Sequence, residues 1–133
     1  MDKDYENRII QEQYLSKIGE IIARKDECVN NINLFQNEVD NFAYVDNNIC
    51  NLLEDIRIVN KDDMAFIRQL EAISNDLDDA RQTVNNNFHT KYEEFMMHHK
   101  ELEEEEENVV SEYKSWMKSL EFEDEKEEFL AEG

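Results

Sequence analysis

Proline is absent from these 133 residues, and glycine occurs only at Gly19 and Gly133. That shortage excludes most β architectures, which need turn residues roughly every 8–12 positions. A few long helices remain as the natural arrangement when breakers are this rare. No apolar run approaches the roughly 18 residues that a membrane span requires. Basic residues are scarce too: 14 Lys and Arg stand against 34 Asp and Glu, a formal net charge of −20. Nucleic acid is therefore excluded as a partner, because binding it rests on a basic footprint. Anionic membrane surfaces are disfavoured for the same reason. The first ten residues, "MDKDYENRII", lack the basic start and apolar stretch of a secretory signal. The expectation is cytoplasmic residence, with co-secretion alongside a partner left open.

What the chain does have is apolar periodicity. Apolar residues make up 40% of it, too many and too evenly spaced for a disordered chain. In the first half, Leu15, Ile18, Ile22, Val29, Ile32, Phe35, Val39, Phe42, Ile49, Leu53 and Ile56 recur mostly in steps of three and four. That is one face of a long helix. The stretch "RIVNKDDMAF" is the one convincing break, with Asn60 suited to a left-handed C′ position and Asp62 or Asp63 to an N-cap. Beyond it, Phe88, Phe95, Leu102, Val109 and Trp116 recur every seven residues, the repeat of a coiled-coil seam.

These patterns predict an all-α fold: two long helices in an antiparallel, coiled-coil-like hairpin over 1–120. Helix 1 is expected over about 5–59, the turn over 60–63 and helix 2 over about 64–119, followed by a flexible acidic tail at 121–133. With the turn near residue 60, facing positions should sum to about 120, which puts Ile18 beside Leu102. Asparagines cluster at 30–37, at 47–51 and at 85–87. Buried asparagine can fix helix register, and these clusters roughly oppose one another in that alignment.

Little in the chain suggests chemistry. No glycine loop exists to cradle a phosphate. The Glu-x-x-His pairs of di-iron bundles are missing: Asn86, Phe95 and Met96 stand three residues before His89, His98 and His99. His89 with Glu93 and His99 with Glu103 have helical spacing, but acidic helices produce such pairs by chance. Cys28 and Cys50 would lie roughly 33 Å apart on one helix, at about 1.5 Å per residue, too far for a disulfide. The expectation is no enzyme, no cofactor and no metal.

The stretch "FHTKYEEFMMHHKELEEEEENVVSEYKSW" joins an amphipathic helix, a Lys-Glu-Leu step, a glutamate run and a Tyr-Lys close. It resembles the small α-helical proteins encoded beside LXG-type toxins of bacterial type VII secretion. The chain as a whole resembles the WXG-type helical hairpins of the same system, although its turn reads "IVNKDDM" rather than Trp-x-Gly. The resemblance implies an adaptor or targeting chaperone that binds the helical N-terminal region of a toxin or effector, alone or with a second small helical protein. Secreted partners in that system carry an aromatic-x-x-x-acidic signal. The segment "FAYVD", Phe42 to Asp46, has that spacing but lies inside helix 1. The competing expectations are a self-associating structural coiled coil and a chaperone of flagellar or type III export. A homo-oligomer is compatible with either class.

Beyond Leu102 the facing part of helix 1 is polar, so intrachain cover should thin there. Leu102, Val109, Tyr113, Trp116, Phe122 and Phe129 are the expected partner-binding residues. On this view the glutamate run Glu103 to Glu107 marks where packing within the chain gives way to packing against a partner.

Overall fold

The computed structural model describes residues 2–132. It is all α-helix: α1 spans Asp2–Val59, α2 spans Met64–Glu132, and a tight turn makes them an antiparallel hairpin. The turn is built as its composition demands. The Asp63 side chain caps α2, accepting the Phe66 amide at 3.1 Å, and its carbonyl accepts the first intrahelical bond, from Ile67 at 2.9 Å. Asn60 closes α1 differently from the expectation. No described non-glycine residue has a positive φ. Asn60 instead donates to the Ile56 carbonyl twice, through its amide N–H at 3.1 Å and its side-chain Nδ2 at 2.9 Å. That second bond ties the Asn60 side chain back onto the last turn without a left-handed residue.

Helix 2 does not stop near 119. It continues as α-helix to Glu132. No proline or glycine interrupts 121–132, and Glu, Lys, Leu and Phe all tolerate helical backbone.

The contacts divide into two compact units, one from the described part of Met1–Val29 with Met97–Gly133, the other Asn30–Met96. In the first, Ile21, Cys28, Leu102 and Val109 are buried. Tyr14 packs on Tyr113 and Trp116, with ring centroids 5.5 and 5.8 Å apart. In the second, Phe35 meets Phe88 edge-on and Phe95 at a tilt, and Phe42 meets Phe88, all at 5.5–5.7 Å. Such pairs add about 0.5–1.5 kcal/mol each beyond simple burial. The Lys91 ammonium stands 5.6 Å from the Phe35 centroid, and Ile67 and Leu70 are buried beside the turn.

The seven-residue stripe on α2 is as expected: Leu102 and Val109 are buried, and Phe88, Phe95 and Trp116 half-buried. On α1 the expected Ile18, Ile32, Phe35, Val39, Phe42, Leu53 and Ile56 do face inward, but Leu15, Ile22, Val29 and Ile49 do not. Its inward residues in the first unit are Tyr14, Ile21 and Cys28, with Gln11 before them and Ile18 and Lys25 between them. Leu15, Ile22 and Val29 are exposed instead. The true seam alternates steps of four and three, and it admits polar side chains that a purely apolar reading skips.

The register differs as well. Facing positions sum to about 127, as with Tyr14 and Tyr113 or Asp46 and Arg81. That is one heptad from the expected alignment. The asparagine clusters do not set it, since Asn31, Asn48 and Asn86 are all exposed. The polar seam residues are paired in it, beside the aromatic contacts. Lys25 Nζ reaches Glu106 at 2.7 Å, and Arg81 Nε reaches Asp46 at 2.6 Å. A slip of one heptad would leave each of these half-buried charges beside an unrelated neighbour.

Candidate partner surface

The residues expected to bind a partner fall into three groups. Leu102 and Val109, 2% and 4% exposed, are core of the hairpin and offer nothing to a second molecule. Tyr113 and Trp116 are half-buried against Tyr14, and the Tyr113 hydroxyl accepts a hydrogen bond from Gln11 Nε2 at 3.2 Å. Phe122, at 69%, is openly exposed. The side chain of Phe129 lies outside the described residues. The heptad shift explains the difference. It brings Tyr14, rather than the polar first turns of α1, opposite Trp116, so intrachain cover does not thin beyond Leu102.

The glutamate run also plays another part. Glu105 and Glu106 are its two members beside the seam, and both are used inside the chain. Arg24 Nη2 donates to Glu105 at 3.0 Å, and Lys25 Nζ to Glu106 at 2.7 Å. The hydrogen bond to Glu106 raises the Lys25 pKa above its ordinary 10.5, against the lowering effect of burial. Buried Leu102 and Val109 flank the run on either side. It therefore clamps α2 to α1 instead of marking the end of intrachain packing. Phe42 and Asp46, the aromatic and acidic members of "FAYVD", lie in the seam, where Asp46 is held by Arg81.

Two-sidedness was not apparent from the sequence. In an antiparallel helix pair, the residues beside the seam form two flanks. One flank of the first unit is charged: Arg24 pairs with Glu105, and Lys17 and Glu112 border a shallow groove with Ile10 and Tyr14. The other carries Leu15, Ile22 and Val29 at seven-residue spacing on α1. Across the seam on that side, Val110 shares a groove with Lys25, Glu103, Glu106 and Glu107. Met117, one heptad beyond Val110, is also exposed. The available signal was the uninterrupted series Tyr14, Ile21, Cys28, Phe35, Phe42. Choosing it would have released Leu15, Ile22 and Val29 to the surface.

Among the described residues no group of three His, Cys, Asp or Glu side chains is placed to hold a metal ion. His89 and His99 each contact a single glutamate, Glu93 at 3.0 Å and Glu103 at 3.5 Å. Neither cysteine enters a disulfide: Cys28 is buried, and Cys50 is exposed with Arg81 Nη2 3.1 Å from its sulfur. No described helix is long and apolar enough to cross a membrane. Against known proteins, the chain matches no family model, no curated sequence and no solved structure.

Proposed function

We propose that this chain is a non-enzymatic helical adaptor. It binds the helical N-terminal region of a secreted toxin or effector and presents it for type VII secretion. The observation that supports this is the apolar surface left over when a two-helix hairpin has buried its one seam. Leu15, Ile22, Leu34, Leu52 and Phe122 remain exposed on a chain whose interior is already satisfied. Exposed apolar groups arranged along a helix pair are the ordinary substrate for adding further helices. The strong negative charge favours a basic partner and opposes non-specific association with nucleic acid. The resemblance of the second half to proteins encoded beside LXG-type toxins supplies the cargo class. Action begins in the cytoplasm, and the adaptor leaves the cell with its cargo or remains behind.

The test is co-expression with the N-terminal helical region of an LXG-type toxin, taken from the neighbouring gene where one is encoded there. A complex of defined stoichiometry, and loss of toxin export when this chain is deleted, are the expected results. Export unchanged by deletion, with no complex formed, would overturn the proposal. A stable oligomer of this chain alone would favour the structural coiled-coil reading.

A further inference from the structure

We infer that the apolar flank of the first unit is a docking strip for one amphipathic helix whose own flanks are basic. This rests on the reading of the chain as a helix-binding adaptor and names the face and the chemistry that reading leaves open. The strip is made by Leu15, Ile22 and Val29 on α1 with Val110 and Met117 on α2. In the observed register, Met117, Leu15, Val110 and Ile22 follow one another along it. From Leu15 to Val29 the strip runs about 21 Å, at about 1.5 Å per residue, enough for four turns of a third helix.

Gly19 is the second observation, and it is independent of the apolar pattern. It stands one turn from both Leu15 and Ile22, in mid-helix, where glycine costs about 1 kcal/mol relative to alanine. The fold itself gives no reason for it. A Cβ built on Gly19 would meet nothing within 4 Å, so no approach of α2 requires its absence. The missing side chain leaves a notch beside the strip, and Ala23 follows one turn on. A notch of this kind lets a third helix bring its backbone close between flanking Leu and Ile side chains.

The rim fixes the partner's charge. Glu12, Asp26, Glu103 and Glu107 border the strip, against Arg8 at its end and Lys114 and Lys118 beside Val110, while Lys25 is already engaged by Glu106, so acid prevails. A second copy of this chain would bring the same acids to the same rim and the same net −20 to the complex. A helix with Lys or Arg beside its apolar stripe pairs with them instead.

The experiment titrates the full chain with synthetic amphipathic helical peptides that share one leucine and alanine stripe and differ only in lysine or glutamate flanks. Binding of the lysine-flanked peptide is expected to exceed that of its glutamate twin at least tenfold. Ile22→Glu and Gly19→Leu should each weaken it tenfold or more, whereas Leu52→Glu in the other unit should not. Gly19→Leu is the decisive variant, because it should leave the free protein at least as helical by circular dichroism. Equal binding of both peptides, or binding unmoved by Ile22→Glu and Gly19→Leu, overturns the inference. So does sedimentation showing a dimer of the chain that Ile22→Glu dissolves, since a second copy would then own the strip. Cargo that still binds the Gly19→Leu and Ile22→Glu variants sinks the strip alone and leaves the adaptor reading standing. The peptide result holds whether or not an LXG-type toxin proves to be the cargo.

Discussion

Ile21 and Ile22 are adjacent in sequence and identical in chemistry, and the fold gives them opposite environments: Ile21 is 0% exposed and Ile22 43%. Replacing each by alanine is therefore a sharp test of the face assignment. Ile21→Ala removes three buried carbons, worth about 2.4 kcal/mol at about 0.8 kcal/mol per methylene. The vacated space adds a cavity cost, although a two-helix seam can partly collapse, which keeps the total near the lower end of the ~2–5 kcal/mol seen for such truncations. Alanine's better helix propensity returns about 0.4 kcal/mol, leaving a loss of about 2.5 kcal/mol. Ile22→Ala loses only its partial cover, leaves no cavity and gains the same propensity, so its loss should stay below about 1 kcal/mol. A gap of about 1.5 kcal/mol separates the melting midpoints by roughly 5–8 °C for a chain of this size. Urea and thermal unfolding followed by circular dichroism measure it, with unchanged urea slopes confirming that both variants unfold as the parent does. Equal losses, or a larger loss for Ile22→Ala, would refute the seam and the apolar flank derived from it.

Three other outcomes follow from the same geometry. Nitroxides at positions 18 and 109 should lie closer together than nitroxides at 18 and 102, by roughly 5 Å, because the axial offset of one heptad, about 10 Å, adds at right angles to an interhelix separation of about 9 Å; the reverse order would restore the register read from the turn alone. The pKa of Lys25 is raised above 10.5 by Glu106, so its contribution to stability is complete below 10.5 and is lost as pH climbs through the higher folded value. Lys25→Met should remove that part of the alkaline loss in urea titrations, and an unchanged alkaline profile would show that the pair contributes nothing. Among the described side chains, truncation after Leu120 breaks the exposed pairs of Lys3 with Glu123 and Glu127. It should change stability by less than about 1 kcal/mol, and a larger drop in the melting midpoint would place Phe122 in packing that its exposure does not show.

The sequence by itself determined the helical class, the site of the turn and the stripe of α2. Each of these rests on local rules. Missing breakers leave helix, Asp63 has the short acceptor an N-cap needs, and Phe88, Phe95, Leu102, Val109 and Trp116 repeat at the period of a seam. The pairing of Glu105 and Glu106 with Arg24 and Lys25 was not legible there, because the run by itself reads as a solvated face. Only the tertiary structure decided which face of α1 meets it. Between residues 14 and 29 two apolar faces run side by side, Tyr14, Ile21 and Cys28 against Leu15, Ile22 and Val29. Hydrophobicity favours the second, and yet the first is buried. The choice is made by residues that look wrong for a seam until their partners are in view. Lys25 needs Glu106, Asp46 needs Arg81, and Gln11 needs the Tyr113 hydroxyl. A half-buried charge is tolerated only beside its complement, and complements some 35 to 102 positions apart cannot be matched by periodicity within one helix. Long-range pairing thus sets the register, the register sets the face, and the face left over becomes the surface available to a partner.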